Sequence, residues 1–176
     1  MLRDLIVGPH QISFDITNKC NLRCLHCYNS SGENLASQNE LTDQEVLAFI
    51  DEFKSIKLLN FCFCGGEPLL RKELIVEAAK RLRTYGCENV AMVSNGILMT
   101  DEVIEELINA GVTRIQISLD GIKAESHDRI RNKKGVYEKA TRAIEALVKH
   151  GVDTAVAFTP TSFNISELRA VRDYLH

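Results

Sequence analysis

LIVEAAKRLRTYGCENVAMVSNG, residues 74–96, is one complete unit of the pattern that decides the fold. Its first half places apolar residues at helical spacing and ends at a glycine, and its second half is an apolar strand followed by an Asn-Gly turn. The unit recurs at residues 103–121, where Gly111 is expected to cap the helix in the left-handed conformation. A third helical pattern around residues 143–147 leads into a strand predicted over 154–159. Strands that alternate with helices in this way pair in parallel, so the sequence predicts an α/β fold of repeated βα units forming a partial TIM-type barrel.

Two more strands are predicted before this unit. Residues 10–17 alternate apolar and polar side chains, and residues 58–64 are a short apolar run that meets two glycines and a proline. Residues 42–45 form a capping box, which predicts that a helix begins there. Residues 1–9 are expected to form an extended lead-in, and the polar residues 30–40 an open connection over the site.

Three cysteines, Cys20, Cys24 and Cys27, lie within eight residues directly after the first predicted strand. Three thiolates at this C-x3-C-x2-C spacing can hold a cubane iron–sulfur cluster whose fourth iron stays open to a small ligand with nitrogen and oxygen donors. One alternative is that the three pack as small hydrophobes, but the polar residues between them fit a core poorly. A second alternative is zinc bound by the three thiolates and His26, although adjacent residues rarely turn toward one ion.

Polar motifs also follow the next three strands, at the ends where βα barrels carry their chemistry. The candidate residues there are Gly65, Gly66, Glu67, Ser94, Asn95, Ser118 and Asp120. The two glycines allow a ligand to approach the backbone closely, and the carboxylate of Glu67 suits an ammonium group. The hydroxyl, amide and carboxylate groups of the later loops can reach ribose hydroxyls. Taken alone, the Asn-Gly and Asp-Gly pairs are ordinary turn formers.

The cysteine spacing, the aromatic Tyr28 that follows it, and Gly65-Gly66-Glu67-Pro68 after the second strand together resemble the radical S-adenosylmethionine (SAM) superfamily. The details are most similar to the branch whose members carry C-terminal SPASM or twitch-type extensions and modify peptides, tetrapyrroles or cofactor precursors. The resemblance implies a [4Fe–4S] cluster on the three cysteines, whose open iron binds the amino and carboxylate groups of S-adenosylmethionine. An electron from the cluster then splits the cofactor to a 5′-deoxyadenosyl radical, which abstracts a substrate hydrogen.

The resemblance also implies roles for individual residues. The loop 65–67 is expected to contact the amino group of S-adenosylmethionine, and the polar residues after the third and fourth strands its ribose and carboxylate. Arg131 is expected to pair with the cofactor carboxylate, which a guanidinium fork suits; an exposed basic face on a short helix is the alternative. His26 stands where many relatives carry an aromatic residue and can offer the adenine a flat face.

Composition indicates which classes of binding partner and which cellular compartment to expect. A formal net charge of −3 does not indicate binding to nucleic acid or to an anionic membrane. No apolar run approaches the length of a membrane span or of a signal-peptide core. Half of the six cysteines fall in one compact motif, which favours a reducing compartment, so a cytoplasmic location is expected. The remaining three, Cys62, Cys64 and Cys87, are interpreted as packing residues that do not bind the cluster.

The resemblance further implies an electron donor such as flavodoxin or ferredoxin, and a substrate that is a peptide or a small molecule. Nucleic-acid and membrane partners are not expected. The alternative to an enzyme is a non-catalytic scaffold that binds a cluster or zinc, or a fragment that binds S-adenosylmethionine without turning it over.

The strand count bears on domain organisation. Residues 1–176 are interpreted as one radical SAM core domain with about five strands, the last followed by a capping pair at Asn164 and Glu167. Family barrels usually have six strands, and eight close a full barrel. The sequence is therefore expected to be the N-terminal part of a longer enzyme, with an open fifth strand that favours self-association.

Overall fold

One five-stranded parallel sheet organises the computed structural model, which describes residues 9–32, 39–56 and 58–175. The strands are β1 (Gln11–Thr17), β2 (Asn60–Gly65), β3 (Asn89–Ser94), β4 (Arg114–Ser118) and β5 (Asp153–Ala157). Their order in the sheet follows the chain, and each neighbouring pair is parallel. This confirms the predicted α/β fold, a partial TIM-type barrel. The expected lead-in over residues 1–9 and most of the connection over 30–40 lie outside the described residues.

Helices join the strands along one face of the sheet. They are α1 (Asp43–Asp51), α2 (Lys72–Thr84), α3 (Asp101–Ala110), α4 (Ala124–Arg131), α5 (Val136–Lys149) and α6 (Leu168–Tyr174). The predicted capping box is confirmed, because Thr42 accepts from the Glu45 amide and the Glu45 carboxylate accepts from the Thr42 amide. Gly111 caps α3 with a φ of 94°, as predicted. Within the described part of the chain, none of these helices combines the length and apolarity that a membrane crossing requires.

The two faces of the sheet differ in chemistry because side chains alternate along each strand. Phe61 and Phe63 of β2 are 1% and 0% exposed, and they belong to the apolar core shared with the helices. The inner face carries smaller or more polar side chains that are half-buried, such as Cys62, Cys64 and Gln116. The apolar core therefore lies between the sheet and the helices. The opposite, inner face of the sheet borders an open space, which we call the lumen.

The capping pair predicted at Asn164 and Glu167 is wrong. Asn164 makes no capping bond; its Nδ2 donates instead to the backbone oxygens of Asp120 and Thr159, at 2.8 and 2.9 Å. The Glu167 carboxylate accepts from the amide of Ile122, 45 residues away in sequence. Because Asn164 is fully buried, its polar atoms must be satisfied within the protein. Both side chains consequently tie the start of α6 to the loop after β4.

Strand β5 pairs with β4 and has no second neighbour among the described residues. Val156 on this strand and Phe158 just after it are partly buried against the core. The interpretation of residues 1–176 as one part of a longer domain, and self-association through this edge, stay predictions.

Candidate functional site

A cavity of about 440 Å³ lies at the carboxyl ends of the strands, and we call it the cleft. Its lining includes ten of the residues predicted from the sequence: Cys20, Cys24, His26, Cys27, Gly65, Gly66, Ser94, Asn95, Ser118 and Arg131. The other two, Glu67 and Asp120, are fully buried behind this lining. The strand-end rule thus places residues that follow the first four strands around one space.

The three motif cysteines are free thiols that are half-buried in the cleft. Two donors already point at their sulfurs: the Ser31 amide lies 3.4 Å from Cys27 Sγ, and Arg131 Nη1 lies 3.7 Å from Cys24 Sγ. Burial raises the pKa of Cys20 and of Cys24, and the charge of Arg131 partly offsets this at Cys24. Metal binding requires the thiolate form, and at Cys24 the charge of Arg131 favours that form against the effect of burial.

The arrangement of the described side chains bears on the zinc alternative. In residues 9–32, 39–56 and 58–175, no group of three or more His, Cys, Asp or Glu side chains could hold one metal ion. Zn–S bonds of about 2.3 Å bring the sulfurs around one zinc within about 4 Å of each other, whereas each cysteine of a cubane binds a different iron. His26, the fourth ligand in the zinc alternative, contacts Asp120 instead, with Nε2 3.1 Å from Oδ2.

The glycines after β2 lie directly against the start of the cysteine loop. The Gly66 amide donates to the Thr17 oxygen and the Glu67 amide to the Lys19 oxygen, both at 2.8 Å. A Cβ at Gly65, whose φ is 123°, would overlap the Thr17 oxygen, and one at Gly66 would overlap the Lys19 oxygen. Glycine is therefore required at both positions because two stretches of backbone meet there.

The Glu67 carboxylate points into the protein, and its contact with an ammonium group stays a prediction. Oε1 accepts from Ser94 Oγ at 2.9 Å and from the Leu69 amide at 3.2 Å, and Oε2 accepts from the Asn95 amide at 2.9 Å. Burial raises the pKa of Glu67, and these donors offset part of that rise. Glu67 thus braces the loop after β2 against the loop after β3, while the two glycines face the cleft.

Asp120 likewise contacts protein groups rather than open space. Its Oδ2 lies 2.6 Å from Arg131 Nη2 and 3.1 Å from His26 Nε2, and its Oδ1 accepts from the Thr159 amide at 2.9 Å. Burial opposes ionisation of Asp120, but the contacts with His26 and Arg131 outweigh it and hold the pKa of this carboxyl below its usual value. Asp120 therefore holds Arg131 and His26 beside the cysteine loop, and a contact with ribose stays a prediction.

The buried side chain of His127 contacts the backbone of Asp120. It is 1% exposed, and its Nδ1 accepts from the Asp120 amide at 3.0 Å, which requires a ring without a proton on Nδ1. Burial, together with the nearby charge of Arg131, lowers the pKa of His127 to about 4.

We expect this buried imidazole to make the fold sensitive to acid. Because the folded pKa lies below the ordinary 6.5, the contribution of neutral His127 is complete above pH 6.5 and is lost as the pH falls from 6.5 through about 4. The shift corresponds to up to about 3 kcal/mol. Urea unfolding of the wild type and His127→Gln between pH 4 and 7 measures it: the variant should lose less stability on acidification, whereas His10→Gln, at an exposed site, should follow the wild type.

Several polar atoms at the cleft have no protein partner. Among the described residues, the buried atoms without a hydrogen bond include His26 Nδ1, Ser31 Oγ and Arg131 Nε, all on residues that line the cleft. Buried polar atoms are normally satisfied. The orphaned atoms therefore fit a site that receives a polar ligand.

Sequence reasoning missed other lining residues, among them Cys64, Gln116 and Thr159. For the first two a signal exists, because Cys64 directly precedes the glycine loop and Gln116 shares the strand face of Ser118. Thr159 follows the end of β5, so the strand-end rule that gathered the other loops also indicates it.

Comparison with known proteins points to one family. Residues 14–175 match the Radical SAM superfamily. The chain is 36% identical over 164 residues to an AdoMet-dependent heme synthase of Methanosarcina barkeri and 33% identical over 164 residues to the mycofactocin maturase MftC of Mycolicibacterium smegmatis. Each alignment covers 92% of this chain, which spans 45% and 40% of the length of these two relatives.

Solved structures show the same fold. Native anSMEcpe with bound AdoMet and the Cp18Cys peptide superimposes with a TM-score of 0.77 at 20% identity, over 94% of this chain and 46% of that one. Streptococcus suis SuiB gives a TM-score of 0.77 at 13% identity, over 94% of this chain and 36% of that one. With its parallel βα units, its three-cysteine loop and a family match over nearly its whole length, the chain belongs to the radical SAM superfamily.

Proposed function

We propose that this chain is the core of an enzyme that binds a [4Fe–4S] cluster through Cys20, Cys24 and Cys27. Members of the radical SAM superfamily use such a cluster together with S-adenosylmethionine. When bound, the pair supplies a 5′-deoxyadenosyl radical by reductive cleavage of the cofactor, and the radical abstracts a substrate hydrogen. The observation that carries the proposal is the convergence of three free thiols, the glycine loop and Arg131 on one cleft.

The chain's own residues have distinct parts in this proposal. The backbone of Gly65 and Gly66, which lines the cleft together with the three cysteines, would receive the amino group of S-adenosylmethionine. Arg131, fixed by Asp120 and with its Nε unpaired, would meet the cofactor carboxylate. Ser94, Asn95 and Ser118 would contact the remaining polar groups, and the ring of His26 the adenine.

The substrate class follows from the relatives and is part of the proposal. The similar proteins include heme synthases and a mycofactocin maturase, so we infer a tetrapyrrole, peptide or cofactor precursor as substrate. A one-electron donor of the flavodoxin or ferredoxin type would reduce the cluster. The cytoplasmic location stays a prediction.

Anaerobic reconstitution with iron and sulfide tests the proposal. We expect a brown protein with iron and sulfide in equal amounts, which forms 5′-deoxyadenosine when reduced with dithionite in the presence of S-adenosylmethionine. A colourless protein that takes up one zinc would contradict it and would support the non-catalytic metal scaffold. A brown protein that binds S-adenosylmethionine without forming 5′-deoxyadenosine would support the non-catalytic fragment.

A further inference from the structure

Two cysteines outside the cluster motif, Cys62 and Cys64, face the lumen rather than the core. They alternate along β2 with Phe61 and Phe63, which are 1% and 0% exposed against the helices. Both thiols are half-buried on the opposite face. Packing in the core, the interpretation from the sequence, therefore does not account for them.

The two thiols lie where two cavities meet. Cys64 lines the cleft together with the cluster motif, and Cys62 lines a second cavity of about 580 Å³ that extends toward the amino ends of the strands. Val93 and Gln116 line both cavities, so the two adjoin along the inner face. A molecule that reaches from the lumen toward the motif cysteines would pass Cys64.

The pair is arranged so that one sulfur keeps its hydrogen. Their Sγ atoms are 3.5 Å apart, within hydrogen-bond range for sulfur. The hydrogen bond between the two thiols lowers the pKa of Cys62, while the same bond, with burial and the nearby carboxylate of Asp15, raises the pKa of Cys64 well above its usual value. Cys64 thus presents an intact S–H bond beside a second sulfur.

An S–H bond is weaker than an aliphatic C–H bond, so a thiol readily gives a hydrogen atom to a carbon radical. We propose that Cys64 is a hydrogen-atom donor for radicals formed in the cleft, with Cys62 as its supporting thiol. This inference rests on the proposed radical function.

The Cys64 S–H bond breaks, a C–H bond forms on the radical, and the unpaired electron stays on sulfur, where Cys62 can share it. One electron from the flavodoxin- or ferredoxin-type donor and one proton from water then restore the thiol.

Solvent deuterium tests the donor without a known substrate. The reconstituted protein is reduced with dithionite and given S-adenosylmethionine in D2O, with no other substrate and no added thiol. Protein thiols then carry deuterium, whereas carbon-bound hydrogens do not exchange. We expect the wild type to release 5′-deoxyadenosine that contains one solvent deuterium, as measured by mass spectrometry.

Variants assign the source of that deuterium. Cys64→Ala should form 5′-deoxyadenosine from which the label is lost, and Cys87→Ala should keep the label, because Cys87 is buried where β3 begins, at the other end of the sheet. Unchanged labelling in Cys64→Ala would overturn the inference while leaving the proposed function intact. Wild-type protein that makes no 5′-deoxyadenosine would overturn both.

A second measurement uses the protein without its cluster. Alkylation by iodoacetamide, followed by peptide mapping, should modify Cys62, whose pKa is lowered, faster than the buried Cys87. An equally slow rate at Cys62 and Cys87 would show that the pair is closed to the lumen, which would also overturn the inference.

Discussion

Replacing Cys24 with alanine is expected to abolish retention of iron and sulfide after anaerobic reconstitution, and with it the formation of 5′-deoxyadenosine. Cubane clusters are held by cysteine thiolates, and the motif supplies only three. Two remaining thiolates would leave a second iron without a protein ligand and the cluster free to leave. Cys24 is the informative choice because Arg131 Nη1 lies 3.7 Å from its sulfur, so the change also removes the partner that faces this guanidinium.

Cys87→Ala is the matched control for this experiment. Cys87 is 3% exposed, outside the cleft, packs in the apolar core, and its Sγ hydrogen-bonds to the backbone oxygens of Leu59 and Asn89. We expect it to lose some stability but to keep full iron content. Retention of iron and sulfide at the wild-type ratio by Cys24→Ala would contradict the assignment of this ligand.

Asp120→Ala is expected to reduce the free energy of unfolding by about 3–5 kcal/mol at pH 7, because it leaves a buried guanidinium without its partner. The side chain of Arg131 is 10% exposed and that of Asp120 is 0% exposed, so water cannot replace the lost carboxylate. The pKa of Asp120 lies below its ordinary value. The stabilisation is therefore complete above the ordinary carboxyl pKa and is lost as the pH falls through the folded value. Urea unfolding of cluster-free protein measures the loss.

Asp153→Ala is the comparison, since it also removes a carboxylate that faces an arginine. Asp153 and Arg114 are 3.5 Å apart with side chains 62% and 56% exposed. Exposed pairs contribute about 0–1 kcal/mol. Equally small losses for both variants would show that Arg131 finds another partner or moves into solvent when Asp120 is removed.

The sequence predicted the elements well because their signals are local. Strand alternation, the Thr42 capping box and the Gly111 cap depend on residues within a few positions of one another, and the structure confirms each. The gathering of polar loops at one edge also followed from the parallel topology alone.

The roles of the charged side chains were not predictable in this way. Glu67 reaches Ser94 and Asn95, 27 and 28 residues away, and Asn164 reaches Asp120, 44 residues away. A sequence pattern shows that a carboxylate stands near a strand end, but not whether a ligand or a distant amide satisfies it. For the same reason the local capping signal at Asn164 failed, since a buried tertiary partner outcompeted it.

The brace formed by Glu67 has an evolutionary consequence. One carboxyl group accepts from the hydroxyl of Ser94 and the amide of Asn95, so the loops after β2 and β3 share a single buried acceptor. A change at position 67 alone leaves these donors without a partner, and loss of the hydroxyl at position 94 alone leaves the carboxyl group one donor short. Positions 67 and 94 are therefore expected to vary together across descendants of this chain, and a lineage that alters one of them should tolerate it only after compensating at the other.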